Sequence, residues 1–207
     1  MSLETWLAFL AATSVLLVIP GPTILLVVSY ALGQGLRAAA PMAIGVALGD
    51  FTAMTLSMLG LGAVLATSAT AFALLKYAGA AYLVWLGVKL WRAGGAMQVE
   101  ARRDARPALA MIGHAWLVTT LNPKSLVFFV AFLPQFLDPA AEWARQMIVF
   151  EATFVTLAFV NAFGYALLAA RARRLVRAPG AIALVNRLGG AALIGAGAAA
   201  ALAPARS

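Results

Sequence analysis

The stretches Pro20-Gly21-Pro22 and Asn122-Pro123-Lys124 each interrupt a long apolar segment of this 207-residue chain. Proline lacks a backbone donor and breaks an α-helix, so each segment is predicted to contain two helical pieces. Pro22 and Pro123 are 101 residues apart, which places the interruptions at matching positions in the two halves of the chain. Paired breaks of this kind indicate a duplicated membrane protein with a transport site where the halves meet.

The composition predicts a membrane protein. Hydrophobic residues make up 64% of the chain and charged residues 11%, whereas roughly 25% of residues are charged in soluble domains. The apolar runs are long and do not alternate with polar residues, which favours helices over barrel strands. A bilayer needs about 20 helical residues for one crossing. Six such helices are predicted, at about residues 5–32, 38–66, 69–91, 108–137, 145–170 and 182–203.

The basic residues predict the orientation in the membrane. Eleven of the 15 Lys and Arg residues lie in the first, third and fifth predicted loops. Short loops rich in Lys and Arg stay in the cytoplasm. Both termini are therefore predicted to be periplasmic. This distribution explains the net charge of +8 without nucleic acid, for which the sequence carries no binding motif.

The predicted fold class is an all-α integral membrane protein with six transmembrane helices in two inverted three-helix repeats. An odd number of helices per half means that the second half enters the membrane in the opposite direction. Residues 1–207 form a single membrane domain, with a first half at 1–95, a basic cytoplasmic loop at 92–107 and a second half at 108–207. Asp50 and Glu151 are also 101 residues apart, like the two prolines.

The helix breaks provide candidate binding groups. Beyond each break a new helix begins with unpaired amides and a partial positive charge, which suits a substrate carboxylate. The alternative is a kink whose backbone groups are satisfied by neighbouring helices. The substrate-binding candidates are Pro20, Gly21, Pro22, Thr23, Asn122, Pro123, Lys124 and Ser125.

Charged residues within apolar segments are the second set of candidates. An Asp, Lys or Arg at the centre of a membrane helix costs about 2.5 to 3.5 kcal/mol on insertion scales. Asp50 and Glu151 are the proton-coupling candidates. Asp50 is also suited to hold a substrate ammonium, and Lys124 to attract a carboxylate. The alternatives are a structural Asp50–Lys124 ion pair and, for Glu151 and Lys76, a position near the membrane interface.

Catalytic and metal sites have few candidate residues. The chain has no cysteine and one histidine, His114, and it lacks a phosphate-binding loop motif and a recognisable nucleophile arrangement. We therefore expect no enzyme activity, cofactor or metal site. A cation or metal exporter of related fold is the alternative function, although it needs more ligands than Asp50 and Glu151.

Motifs along the whole chain resemble those of the LysE/RhtB family of amino-acid exporters. They are Pro20-Gly21-Pro22, Gly45-x3-Gly49-Asp50, the stretch from Lys76 to Gly87, Asn122-Pro123-Lys124 with Leu133-Pro134-Gln135-Phe136, and Asn186-Arg-Leu-Gly-Gly190.

The resemblance implies a secondary transporter of the bacterial inner membrane that exports an amino acid of the threonine, homoserine, lysine or leucine type. The proton-motive force supplies the energy, with proton antiport as the expected coupling. Asp50 and the Asn-Pro-Lys stretch lie on family motifs, whereas Glu151 does not. The expected partners are the amino-acid substrate, protons, membrane lipid and a second copy in a homodimer.

Overall fold

The computed structural model describes residues 2–67, 69–92, 101, 106–138, 140–171 and 179–202. Every regular element in these ranges is helical. The α-helices are α1 (Leu3–Val18), α2 (Pro22–Gln34), α3 (Ala39–Thr67), α4 (Ala69–Arg92), α5 (Ala108–Thr120), α6 (Pro123–Val127), α7 (Trp143–Arg171) and α8 (Pro179–Leu202). Most of the predicted basic loop at 92–107 lies outside the described residues.

Both predicted interruptions separate helices. α1 ends at Val18 before α2 begins at Pro22, and α5 ends at Thr120 before α6 begins at Pro123. In each case proline takes the first position of the new helix, where its missing N–H removes no helical hydrogen bond. The predicted segments 5–32 and 108–137 each contain one of these breaks, as the two prolines indicated.

Short 3₁₀- and π-helical segments adjoin the main α-helices. The 3₁₀-helix Gly35–Ala38 joins α2 to α3, and its first residue has a φ of 66°, a conformation that favours glycine. A π-helix at Phe128–Phe132 and a 3₁₀-helix at Leu133–Phe136 continue from α6.

Two helical stretches among the described residues are long and apolar enough to cross a bilayer, Pro22–Gly60 and Trp143–Arg171. α5 and the stretch Pro123–Phe136, which are bent by 43° relative to each other, make a third if they are one span. Pro22–Gly60 has 39 residues, about twice the length of one crossing. These helices are compatible with a membrane protein, and the count of six spans stays a prediction.

The main helix contacts join the two halves of the chain. α3 packs along α5 and α7, α4 packs along α8, and α7 also contacts α1 and α2. If the two halves are exchanged, α3 takes the place of α7 and α5 that of α1. The α3–α5 contact then takes the place of the α7–α1 contact. The arrangement as two inverted three-helix repeats stays a prediction.

Gly45 and Gly49 permit the close approach of α3 to α5. A Cβ atom at Gly45 would lie 2.5 Å from the Ile112 carbonyl oxygen, and one at Gly49 would lie 2.6 Å from the Cβ of Thr119. Since real Cβ atoms do not come this close to other atoms, any larger residue at these positions pushes the helices apart. Gly49 directly precedes Asp50, so this contact also positions the candidate site.

Gly49→Leu is expected to destabilise the protein by at least about 1–3 kcal/mol, because the new side chain overpacks the α3–α5 contact. Gly113→Leu on α5 is the matched control, since a Cβ at Gly113 meets no atom within 4 Å. The measurement is the thermal unfolding midpoint in detergent. Equal midpoints for the two variants would contradict this account of the packing.

Candidate functional site

The end of α1 has carbonyl groups that the prolines leave without backbone donors. In a continuous helix, the N–H of residue 20 would bind the carbonyl of Leu16 and that of residue 22 would bind the carbonyl of Val18, but both residues are proline. The chain also leaves the helix at Ile19, where ψ is 117°. These carbonyls must therefore find donors elsewhere in the protein.

Lys124 on α6 provides two of the missing donors. Its Nζ donates to the Leu16 carbonyl oxygen at 3.0 Å and to the Ile19 carbonyl oxygen at 2.8 Å. The ammonium thus lies at the partially negative end of α1, where a cation is stabilised. The side chain of Lys124 is buried.

Asn161 and Tyr165 on α7 provide the other two donors. Asn161 Nδ2 donates to the Leu17 carbonyl at 2.9 Å, and the Tyr165 hydroxyl donates to the Val18 carbonyl at 2.6 Å. The two side chains are four residues apart and share one face of α7. Side chains from the second half of the chain therefore bind the carbonyls of the last three residues of α1 and of Ile19, which follows it.

Asn122 connects the two helix breaks. Its Oδ1 accepts from the backbone N–H of Lys124 at 3.1 Å, which caps α6, and its Nδ2 donates to the Thr23 hydroxyl on α2 at 3.1 Å. A longer bond of 3.5 Å runs from Nδ2 to the Ser125 hydroxyl, and Thr119 donates to Thr23 at 3.4 Å. All five side chains are buried. The start of α6 is thus already capped, whereas no side chain caps α2.

Asp50 on α3 belongs to the same cluster. It is 2% exposed, Ser125 forms a hydrogen bond to its carboxyl group, and the charge of Lys124 acts on it. Its Oδ1 atom has no hydrogen-bond partner in the described part of the chain. A buried carboxylate oxygen without a partner is unfavourable, so this atom is suited to hold a proton or a cation.

The alternative of a structural Asp50–Lys124 ion pair stays a prediction. Among the described residues, Lys124 Nζ donates hydrogen bonds to the two α1 carbonyls, while its charge acts on the Asp50 carboxyl group. The sequence could not indicate these hydrogen bonds, because they depend on where the broken end of α1 lies relative to α6.

The proline and glycine candidates shape the site. Pro22 and Pro123 are exposed and begin the new helices, while Pro20 is buried. Gly21 lies beside the Lys124 side chain, since a Cβ at Gly21 would be 3.4 Å from Lys124 Cε. The eight substrate-binding candidates thus come together around the two breaks.

Glu151 lies outside this cluster. It is half-buried on α7 and accepts a hydrogen bond of 2.5 Å from the Thr55 hydroxyl on α3. Thr55 is five residues beyond Asp50, more than one helical turn away. A coupling role for Glu151 stays a prediction. Lys76 belongs to α4, and its side chain is outside the described part of the chain.

An apolar cavity of about 220 Å³ adjoins the broken end of α1. The sequence did not predict it, because its walls come from four separate elements: α1, α4, α8 and the π-helix. The large lining residues are Leu16, Ile19, Leu83, Phe128, Phe132 and Leu193. Phe128 follows Lys124 by one helical turn, so the cavity places apolar surface next to the polar cluster.

No three His, Asp or Glu side chains of the described ranges lie close enough together to hold a metal ion. The chemistry available in the cluster is instead that of an ammonium, a carboxyl group, hydroxyls, an amide and backbone carbonyls.

Comparison with known proteins gives a family match over most of the chain. The family described as LysE type translocator matches residues 14–203. An uncharacterized membrane protein of Vibrio cholerae is 37% identical over 197 residues, which are 95% of this chain and 96% of the relative. No solved structure matches the chain.

Two further relatives carry functional names. A homoserine/homoserine lactone efflux protein of Salmonella typhi is 32% identical over 187 residues, 90% of this chain and 91% of that protein. A leucine efflux protein of an Enterobacter species is 31% identical over 156 residues, 75% of this chain and 74% of that protein.

Proposed function

The chain belongs to the LysE type translocator family, and on that premise we propose that it is a secondary transporter of the inner membrane that exports an amino acid or a derivative of one. The relatives with functional names are efflux proteins for homoserine, homoserine lactone and leucine. Protons moving inward are proposed to drive the export. The proposal includes six spans in two inverted repeats, periplasmic termini and a homodimer.

The observation that carries this proposal is the buried polar cluster that joins both helix breaks to Asp50. Ionisable residues inside a membrane protein are unfavourable and mark substrate and ion pathways. In secondary transporters, the half-helix ends at matching breaks bind substrates and coupling ions. A protein that only serves as a scaffold has no need of a buried Asp50 with an unpaired oxygen.

The chemistry of the relatives' substrates indicates which group is recognised. Homoserine, homoserine lactone and leucine all carry a primary amino group, whereas the lactone has no free carboxylate. Two parts of the cluster suit an ammonium: the carbonyl end of α1 and the Asp50 carboxyl group. The uncapped start of α2 at Thr23 suits a carboxylate when the substrate has one. The apolar cavity beside Leu16 and Ile19 suits an aliphatic side chain.

Asp50 is proposed to carry the coupling proton. Its Oδ1 is buried and unpaired, and Lys124 is close enough for its charge to act on the carboxyl group. Glu151 is the second coupling carboxylate proposed from the sequence. Glu151→Gln tests it separately, because the amide oxygen of Gln still accepts from Thr55.

Protection of bacteria against toxic amino-acid analogues tests the proposed function. Cells that produce the protein are exposed to analogues of leucine, homoserine, threonine and lysine, and their internal amino-acid pools are measured. We expect resistance to at least one analogue and a lower pool of the matching amino acid. Protection against metal salts, with no effect on any analogue or pool, would instead indicate the cation exporter.

A further inference from the structure

Lys124 and Asp50 are arranged differently from a stable buried ion pair. The Lys124 ammonium binds the carbonyls of Leu16 and Ile19, while the Oδ1 atom of Asp50 in the same cluster has no partner. A buried ammonium and a buried carboxylate normally stabilise each other by direct hydrogen bonds. The carbonyl end of α1 and the Asp50 carboxyl group are therefore two alternative partners for one ammonium.

The carbonyl end of α1 has the properties of a cation site. Two carbonyl oxygens converge on one Nζ atom at the negative end of a helix, 3.0 and 2.8 Å away. Half-helix ends of this kind bind cations in other secondary transporters. A substrate ammonium has the same charge and the same three donors as the lysine ammonium, so it fits these carbonyls only after Lys124 has left them.

We propose that Lys124 exchanges partners during transport: it binds the carbonyls of Leu16 and Ile19 when substrate is absent and moves to Asp50 when the substrate ammonium occupies those carbonyls. This inference rests on the proposed amino-acid export. It assigns the substrate's amino group to the broken end of α1, and it gives Lys124 the role of a displaceable stand-in for that group.

Lys124 is the only charged group that acts on Asp50 among the described residues. The other charged side chains and the histidine that the structure describes on the elements around α3 lie elsewhere. Glu151 on α7 binds Thr55, and His114 on α5 binds Tyr30 at 3.0 Å. Lys89 on α4 lies over the Trp85 ring. The arginines on these elements are exposed: Arg37, Arg92, Arg145 and Arg171.

The exchange links the substrate to a proton. While Lys124 binds the carbonyls, Asp50 holds a proton, because a carboxylate there would be buried with its Oδ1 atom unpaired. When the Lys124 ammonium arrives, the O–H bond of Asp50 breaks and its proton passes to water on the cytoplasmic side. On the periplasmic side a proton returns to Asp50, Lys124 goes back to the carbonyls, and the substrate ammonium is expelled. Substrate and proton thus exclude each other, which is the relation that antiport requires.

Proton release on substrate binding tests the exchange. The purified protein in detergent is mixed with leucine or homoserine in weakly buffered solution that contains a pH indicator. About one proton should be released for each amino acid bound, and the affinity should fall as the pH is lowered because the two ligands are reciprocally linked. N-acetyl-leucine has no ammonium and should release none.

Lys124→Met separates the exchange from simpler roles of the lysine. We expect this variant to bind leucine several-fold more tightly, because the internal competitor is gone, and to release no proton. Binding with normal proton release would make Lys124 only a structural cap and overturn the exchange. Loss of binding in the folded variant would make Lys124 the carboxylate ligand and also overturn it. Lys89→Met is the same substitution at an exposed lysine of α4 outside the cluster and, as the matched control, should release the proton normally.

If Lys124→Met does not fold, infrared spectroscopy of the wild-type protein tests the exchange instead. Infrared difference spectra of the wild-type protein should show that leucine removes the C=O band of a protonated carboxyl group, and Asp50→Asn should lack this change. An unchanged carboxyl band in the wild type would overturn the exchange. If the wild type binds and exports no amino acid at all, the proposed function fails; binding without proton release contradicts the exchange alone.

Discussion

Asp50→Asn is expected to abolish export driven by a pH gradient and to leave the protein folded. Asparagine has nearly the same size as aspartate and can still accept a hydrogen bond from Ser125, but it cannot take up and release a proton. Efflux in reconstituted vesicles should therefore no longer respond to an imposed pH gradient, whereas the exchange of labelled for unlabelled leucine across the membrane should persist. The measurement is labelled-leucine flux with and without the gradient.

Glu151→Gln is the matched control for this prediction. It also removes a carboxylate, but it preserves the hydrogen bond with Thr55 and lies outside the buried cluster. If Asp50 alone carries the proton, this variant keeps its response to the gradient. Gradient-driven export by Asp50→Asn, together with loss of the response in Glu151→Gln, would assign the proton to Glu151 instead.

Lys124→Met is expected to lower the stability of the substrate-free protein by about 2–5 kcal/mol, because two buried carbonyls each lose a charged donor and have no water to replace it. Methionine fills a volume similar to that of the lysine stem, so the effect reports on the hydrogen bonds to Leu16 and Ile19. The unfolding midpoint in detergent measures it. Added leucine should restore part of the loss, since its ammonium can bind the same carbonyls.

Tyr165→Phe provides a reference for the loss of stability expected in Lys124→Met. It removes one neutral hydrogen bond, to the Val18 carbonyl, and should cost about 0.5–1.5 kcal/mol or somewhat more where the carbonyl stays unpaired. A Lys124→Met variant that is as stable as the wild type would show that the ammonium does not hold the end of α1.

The helix breaks were predictable because the effect of proline is local. Pro20, Pro22 and Pro123 each act on the backbone within one turn: α1 ends two residues before Pro20, and α2 and α6 begin at Pro22 and Pro123. The outer bounds of the two broken segments, predicted at 5–32 and 108–137, lie within two residues of the helix ends at Leu3, Gln34, Ala108 and Phe136.

The partners within the site were not predictable, because they lie far apart in the sequence. Asn122 and Thr23 are separated by 99 residues, and Lys124 and Leu16 by 108. The sequence showed that broken helix ends need donors, but not which side chains would supply them. Tyr165 gave no signal at all, since an aromatic residue in a membrane helix normally suggests packing or an interfacial position.

The shared spacing of 101 residues paired Glu151 with Asp50, but it could not predict whether Glu151 lies in the site. An offset of 101 residues relates backbone positions in the two halves, whereas the surroundings of each side chain depend on neighbours that differ between the halves. Asp50 meets Ser125 and Lys124, while Glu151 meets Thr55. The apolar cavity escaped prediction for a related reason, because residues from four separate elements form its walls.

The leucine gradient that balances a given pH gradient tests most directly the claim that the protein exchanges a proton for an amino acid. Vesicles containing the purified protein are held at zero membrane potential, and the leucine gradient at which net flux stops is determined at several pH gradients. If the cluster exchanges one proton for one amino acid, this leucine gradient should change about tenfold for each pH unit. A net leucine flux that stops at equal concentrations on both sides, whatever the pH gradient, would contradict the account.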